Sequence, residues 1–242
     1  MGTEKIQFHV KKLFPNARVE RLDTDRVKKR GEANLILKRF AQGQIDILIG
    51  TQMLAKGFDF PNVTLVGVIN ADTILSLPDF RSFERGFQLL TQVAGRTGRG
   101  ARGGRVIIQT FMPQAYAITY ARHHDYERFY EEEKKNRAEL NYPPYSSLIN
   151  VIIRSRNEKG LEERCKKLAT LVHADHADER GIEVIGPAPL PFYKLRNYYR
   201  WHVMIKGVDH VRMRAVTQAI IASVSRAKDS YLAVDVDPIS IL

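Results

Sequence analysis

The 242-residue sequence contains one cysteine, Cys165. That excludes a disulfide framework and a cysteine-based zinc site. Nowhere does Gly-x-x-x-x-Gly-Lys-Ser/Thr occur, and no Asp-Glu box stands at a strand end. A nucleoside triphosphate therefore has no cradle in this chain alone. No uninterrupted apolar run is long enough to span a bilayer, and no signal peptide opens the chain. Cytoplasm is the expected compartment, with no membrane partner. The seven histidines show no metal-ligand spacing, and no internal repeat or low-complexity tract occurs. Acidic residues are scarce, 27 against 38 Lys and Arg, for a net charge of +11 and a pI near 9.8. Either a polyanionic partner, nucleic acid first, or a solvated basic surface accounts for that excess. Apolar residues at 44% and charged residues at 27% are ordinary globular composition and argue against disorder.

What is present centres on Gln92-Val93-Ala94-Gly95-Arg96-Thr97-Gly98-Arg99-Gly100. Gln92 and Arg96 are four apart, and Arg96 and Arg99 three apart. At a helix end that spacing puts the three side chains on one face. Paired guanidiniums beside a carboxamide suit an anion with several oxygens, such as a triphosphate. The competing reading is a solvated Gly-Arg-rich loop, a style that Arg102-Gly103-Gly104-Arg105 continues. Forty residues earlier, Ile47-Leu48-Ile49-Gly50-Thr51-Gln52-Met53-Leu54-Ala55-Lys56-Gly57-Phe58-Asp59-Phe60-Pro61 reads as a buried strand that stops at Gly-Thr. A short helical turn and a turn on Gly57 and Pro61 follow.

The periodicity predicts a helix over 5–14, with Ile6, Val10, Leu13 and Phe14 as its stripe and Thr3 as N-cap. A strand is predicted over 18–22. A helix over 32–40 carries Leu35, Ile36 and Phe40 on one side and ends at Gly43. Strands at 45–49, 65–69 and 105–109 and a helix at 81–93 complete an alternating parallel α/β layer. Reactive residues then belong at carboxyl ends of strands, where Gly50-Thr51 and Asn70-Ala71-Asp72 fall. Residues 114–140 read as a polar helical connector, and Glu131-Glu132-Glu133 as a solvated helix face. Asn141-Tyr142-Pro143-Pro144-Tyr145 is a hard stop. Beyond it come strands at 148–153, 183–185, 201–205 and 232–236 and helices at 161–173 and 208–224, a compact α+β domain. The expected domains are 1–112, a connector at 113–140, and 141–242.

The stretches at 50–61 and 92–100 resemble motifs V and VI of superfamily 2 helicases, carried on the second of two RecA-like lobes. Further motifs narrow the likeness. They include Gly-Thr-Glu at 2–4, Asp79-Phe80-Arg81-Ser82-Phe83-Glu84-Arg85, Tyr142-Pro143-Pro144, Gly186-Pro187-Ala188-Pro189, Tyr199-Arg200-Trp201 and Val234-Asp235-Val236-Asp237-Pro238. Together they are similar to the primosomal protein N′ family of replication-restart DNA helicases. The resemblance covers nearly the whole chain.

It implies a fold: an α/β, RecA-like second helicase lobe with a partial parallel sheet, followed by a smaller α+β C-terminal domain. It also implies the C-terminal part of an ATP-dependent 3′-to-5′ helicase for replication restart and primosome assembly. The P-loop lobe is expected upstream, so the chain alone is expected not to hydrolyse ATP. ATP and Mg²⁺ are the implied cofactors of the complete protein. Zinc also belongs to the complete protein, with its ligands outside this chain. Arg99 is implied as the arginine finger, with Arg96 on the phosphates and Gln92 placing the γ-phosphate or its water. Asp59 resembles the carboxylate that meets ribose hydroxyls, with turn capping as its rival role, and Gly57 lies beside it. Thr51, Gln52 and Lys56 are implied to hold a DNA phosphate. Arg81 and Arg85 belong either to a DNA or interlobe surface or to salt bridges with Glu84 or Asp79. The interleaved Tyr198, Tyr199, Arg200 and Trp201 suit base stacking and phosphate contact, or an acidic, aromatic-ended peptide. Packing of Tyr199 and Trp201 in the core of a strand is the alternative. The implied partners are forked or single-stranded DNA, the acidic tail of single-stranded DNA-binding protein, and other primosome proteins. A different class stays open, a stand-alone basic nucleic-acid-binding module with no motor.

Overall fold

The computed structural model describes residues 2–23, 31–51, 54, 62–95, 103–176, 181–224 and 230–242. In chain order the elements are α1 (Thr3–Leu13), β1 (Val19–Leu22), α2 (Glu32–Ala41), β2 (Ile47–Gly50), β3 (Leu65–Val68), α3 (Asp72–Leu75), α4 (Ser82–Ala94), β4 (Arg105–Ile108), α5 (Tyr116–Ala121) and α6 (Tyr126–Glu139). Then follow β5 (Ser147–Ser155), α7 (Glu158–His176), β6 (Ile182–Leu195), β7 (Tyr198–Gly207), α8 (His210–Val224) and β8 (Ser230–Val236). Helix and sheet are mixed, and they sort into two compact units. Unit 1 is Met1–Leu75 with Glu84–Phe129, and unit 2 is Ser76–Phe83 with Tyr130–Leu242.

Unit 1 holds two small parallel pairs, β1 with β2 and β3 with β4. Leu22, Ile36, Leu37 and Ile45 are buried together, with Ala33, Phe40, Leu48 and Leu54 packed on them. The stripe that α2 buries is thus Ala33, Ile36, Leu37 and Phe40, the i, i+3, i+4, i+7 pattern. Leu35, expected on that stripe, is 59% exposed, because it falls between those positions. The helix ends as expected. Gly43 takes φ +70, its N–H reaches the Phe40 carbonyl, and the Gln44 N–H reaches that of Arg39. That double closure satisfies the last carbonyls and needs a residue tolerant of positive φ. Thr3 is not the N-cap of α1. Gly2 occupies that position without a side-chain bond, and the Thr3 hydroxyl donates to the Asp23 carboxylate instead. Asp23 also pairs with Arg21 at 3.0 Å. The predicted stripe of α1 buries no residue, and Leu13 and Phe14 are exposed.

Residues 114–140 are more than a polar connector. Phe129 is 3% exposed, and its ring stacks on Phe87 at 4.1 Å and on Tyr116 at 5.7 Å. Glu133 leaves the expected solvated face. It is buried and receives two bonds from Arg137, each 2.7 Å.

Unit 2 runs β5-α7-β6-β7-α8-β8 with all neighbours antiparallel, in the order β6-β7-β5-β8. This is the split βαβ arrangement of ferredoxin-like domains. One face is covered by the helices. Ile149, Val151 and Ile153 of β5 and Val203 and Ile205 of β7 pack there on Leu161, Cys165 and Leu168 of α7 and Met213, Val216 and Ile220 of α8. Each fully buried aliphatic side chain contributes about 1.5–3 kcal/mol relative to exposure. The helix entrances are capped by side chains. Asn157 Oδ1 accepts from the Gly160 N–H, and Asp209 Oδ1 accepts from those of Val211 and Arg212.

The predicted three-residue strand at 183–185 is the start of a much longer one. Strand β6 continues through Pro187, Pro189 and Pro191 with two register shifts. Proline removes a donor, but β6 is an edge strand, where donors on the outer side need no ladder partner. Gly186 sits at φ +101, and a Cβ there would lie 2.8 Å from the His202 carbonyl.

At one end of the sheet's second face, Leu148, Met204 and Ile241 are buried under Phe80 and Tyr142, whose rings stack at 5.5 Å. The buried Asp79 carboxylate accepts from the Ser240 hydroxyl at 2.7 Å, the Ile241 N–H at 3.3 Å and the Arg81 N–H at 2.9 Å. Ser76–Phe83 and the chain's last residues are therefore joined within unit 2.

Candidate functional site

Strand β2 ends where a side chain will not fit. A Cβ on Gly50 would stand 2.5 Å from the Leu22 carbonyl and 2.6 Å from Leu54 Cδ1. Glycine lets β2 lie against β1 and brings the chain out at Thr51, which is exposed. Its carbonyl accepts from the Leu54 N–H at 3.0 Å. The Thr51 side chain thus stands just past a parallel strand's carboxyl end. Gln52, Lys56, Gly57 and Asp59 lie outside the described residues.

Helix α4 buries Phe87 and Leu90 and turns Gln88 and Gln92 outward, both exposed. The close packing requires Gly86, since a Cβ there would meet Leu75 Cδ2 at 2.4 Å. Gln92 is thereby held at the solvent side of the last turn. Gly95 follows, its N–H on the Thr91 carbonyl at 3.0 Å. Against the described residues a Cβ there would make only ordinary contacts, 3.5 Å from the Thr91 carbonyl and 3.7 Å from that of Gln92. Arg96 and Arg99 lie outside the described residues. Arg81 and Arg85 are both half-buried.

Past β3, Asp72 is structural. It accepts from the Thr110 hydroxyl at 2.8 Å and the Phe111 N–H at 3.0 Å. Burial pushes its carboxyl up, but these bonds outweigh that and leave it below the ordinary carboxylate range.

In unit 2 the alternation of β7 separates the aromatic-basic segment into two sets. Tyr199 and Trp201 pack on the helix-covered core. Tyr198 and Arg200 project from the other face. Trp201 is therefore not brought together with Tyr198 and Arg200. Other residues join them instead. Register puts Arg154 of β5 opposite Arg200, and Tyr231 of β8 opposite Arg154. The Tyr198 and Tyr231 rings meet edge-on at 5.4 Å, and the Arg156 guanidinium lies 5.1 Å from the Tyr198 centroid. Arg200 is only 9% exposed. Burial, and then the Arg154 charge, pull its guanidinium below its ordinary value. His202 accompanies it, bonded through Nδ1 to Asn150 Oδ1 at 3.1 Å. Burial, then Arg200, lower its pKa as well, which favours the neutral ring. Arg154, Arg156 and Tyr231 carry no local motif. Their only signal is a period of two, which takes effect once the strand register is known.

Among the described residues no group of three or more His, Cys, Asp or Glu could hold a metal. Cys165 is buried on the sheet-facing side of α7, and burial pushes its thiol up to about 12, so it is no metal thiolate. Zinc does not fit the residues described. No described helix is long and apolar enough to cross a membrane.

The class of protein, a helicase C-terminal domain followed by a separate C-terminal domain, comes from two family matches. Residues 2–101 match the helicase conserved C-terminal domain, and residues 138–239 match the primosomal protein N C-terminal domain. The chain belongs to the family of the replication restart protein PriA. Its relative of that name from Bacillus subtilis is 40% identical over 240 residues, 98% of this chain and 30% of the relative. Those of Synechocystis and Chlamydia trachomatis are each 38% identical over 99% of this chain, which covers 28% and 32% of them. The chain thus spans roughly a third of the length of the curated relatives it matches. Among solved structures, a de novo designed protein, Foldit4, matches 38% of this chain at 17% identity with a TM-score of 0.32, too low to carry an argument.

Proposed function

We propose that this chain is the C-terminal part of an ATP-dependent, 3′-to-5′ superfamily 2 DNA helicase that restarts replication and helps assemble a primosome. Residues 1–112 serve as the second RecA-like lobe, 113–140 as a connector, and 141–242 as a domain that binds DNA and partner proteins. The observation that carries this reading is a pairing of positions. Thr51 stands exposed just beyond parallel strand β2, and Gln92 stands exposed on the last turn of α4, directly before the arginine run. Ligands of α/β sheets sit beyond the carboxyl ends of strands. Here the side chains of Gln92 and the arginines after it, rather than the helix backbone, offer donors to a phosphate.

Gln92, Arg96 and Arg99 form a donor set suited to an anionic nucleotide. Bound ATP with Mg²⁺ would supply the phosphoanhydride whose cleavage drives the motor. Arg99 is the finger that meets developing phosphoryl charge, Arg96 steadies the phosphates, and Gln92 orients the γ-phosphate or the water. Asp59 and Gly57 meet the ribose side. The P-loop comes from another lobe of the complete protein, and zinc from another region of it. Thr51, Gln52 and Lys56 hold a DNA phosphate. Tyr198 and Arg200 contact DNA in unit 2, with Trp201 supporting them from beneath the sheet. The acidic tail of single-stranded DNA-binding protein and other primosome proteins are the proposed partners, and the cytoplasm is the proposed site of action.

The test is Arg99→Ala in the complete protein. DNA-stimulated ATP turnover should fall by about 10³–10⁵, with DNA affinity nearly unchanged. Turnover within a few-fold of the parent would remove Arg99 from the finger role and make Arg96 the next candidate. The 242-residue chain alone should show no DNA-stimulated hydrolysis. If the complete protein bound DNA but never hydrolysed ATP, the stand-alone binding module would be the correct class.

A further inference from the structure

The unit 2 sheet carries a like-charge pair that no described carboxylate neutralises. Arg154 and Arg200 stand directly opposite each other on β5 and β7. Facing guanidiniums repel and cost stability. Among the described residues, neither they nor Arg156 have a carboxylate partner. Asp235, on the same face of β8, stands two rungs away, opposite Asn150. Arg200 is nine-tenths buried, and its side chain makes one long bond, 3.5 Å to the Phe192 carbonyl. A buried guanidinium with spare donors is unfavourable unless an acceptor arrives. An anion seated between Arg154 and Arg200 would cancel the repulsion and take up those donors.

The neighbours indicate which anion. Tyr231 completes the rung beside Arg154 and is 55% exposed. Its ring is propped edge-on by Tyr198, with ring planes at 88°, and Tyr198 is in turn capped by Arg156. A held aromatic ring beside a pair of facing cations is the pairing that single strands use. Their backbone takes the charge, and their unpaired bases offer π-faces. Small four-stranded sheets in RNA-binding modules use an open face in this way. A base pair inside a duplex has no free face to offer. The net charge of +11 favours the same polyanion.

We infer that this open face binds single-stranded DNA, with Arg154 and Arg200 clasping one backbone phosphate and Tyr231 stacking on an adjacent base. The inference rests on the DNA-binding reading above and adds Arg154, Arg156 and Tyr231 to it. It also separates them from the Thr51 and Lys56 contacts of unit 1.

The test uses the full 242-residue chain and fluorescence anisotropy across salt. Probes are labelled oligo(dT), a duplex of equal length and a labelled acidic peptide. Oligo(dT) should bind more tightly than the duplex. Arg154→Gln should weaken oligo(dT) binding and reduce the slope against log salt by about 0.7, the share of one phosphate on a single strand. Tyr231→Leu should weaken it at least about five-fold without changing that slope, and Tyr231→Phe should restore it. Both sites are solvent-facing, so circular dichroism should report an intact fold. Should oligo(dT) bind equally well to Arg154→Gln, Tyr231→Leu and the parent, this face is not the site, while DNA binding elsewhere on the chain stands. Absence of any binding at low salt would overturn both. A Tyr231→Leu change that loses the acidic peptide but keeps oligo(dT) would make the occupant a protein segment and overturn the inference.

Discussion

Units 1 and 2 carry their candidate residues in opposite ways. In unit 1 they stand at or just past the ends of elements, Thr51 after β2 and Gln92 in the last turn of α4. In unit 2 they stand inside strands, Arg154 on β5, Arg200 on β7 and Tyr231 on β8. The strands differ accordingly. Those of unit 1 have four residues each, and those of unit 2 have seven to fourteen. A short parallel strand places a residue by stopping. A long antiparallel strand places residues by alternation, so each ligand-facing side chain is backed by a core neighbour. Arg200 is backed in this way by Tyr199 and Trp201, and Arg154 by Ile153. Side chains in unit 2 should therefore depend on the core, and those in unit 1 on backbone fit.

The largest test of that contrast is Ile205→Ala. Ile205 is fully buried on the helix side of β7. The truncation should cost unit 2 about 2–5 kcal/mol, read as faster amide exchange across β5 and β7. A cost well below that would mean that the helix-covered side is not what holds the sheet.

Gly50→Ala tests the other half. The added methyl meets the Leu22 carbonyl, which is backbone and cannot swing aside. About 1–3 kcal/mol of destabilisation is expected in urea unfolding, with β1 and β2 exchanging faster. A neutral outcome would mean that the strand end has room, and that Thr51 is not positioned by fit.

A third change asks whether the chain's end belongs to the unit 2 framework. Asp79→Ala strands the buried Ile241 N–H and the Ser240 hydroxyl. The loss should be about 1–2 kcal/mol, with the Ile241 amide exposed to exchange. Unchanged protection at Ile241 would show that apolar packing alone retains the tail.

The smallest effect is a pH dependence. His202 has a depressed pKa in the folded chain, first through burial and then through Arg200. An unfolded histidine titrates near 6.5. Above that value both states are neutral and the stability of unit 2 is whole. As pH falls through it, the unfolded chain takes up a proton that the folded one resists. Stability then declines, by at most about 1.4 kcal/mol per pH unit. His202→Gln should flatten that slope, and an unaltered slope would assign it to another group.

The sequence could be read wherever chemistry is local. Gly50-Thr51 shows where β2 stops, because only glycine tolerates that approach. Gly43 shows the end of α2, because its two closing bonds need positive φ. Four further readings failed where a tertiary partner intervened. Thr3 looks like a cap until Asp23 takes its hydroxyl. Glu133 looks solvated until Arg137 and burial claim it. Phe129 looks like part of a polar connector until Phe87 stacks on it. The prolines of β6 look like a strand's end until the sheet order makes it an edge.

By itself, then, the sequence determined the family, the helicase-type motifs and most of the helices and strands in their order. Each is written in contiguous residues, and spacing along one segment is enough to read it. Only the tertiary structure decided that Ser76–Phe83 joins unit 2, that Trp201 faces the core, and that Arg154, Arg200 and Tyr231 share a rung. Those facts depend on register between strands far apart in the chain. A shift of one residue would turn every one of those side chains to the other face, and no local pattern records which register packing selects.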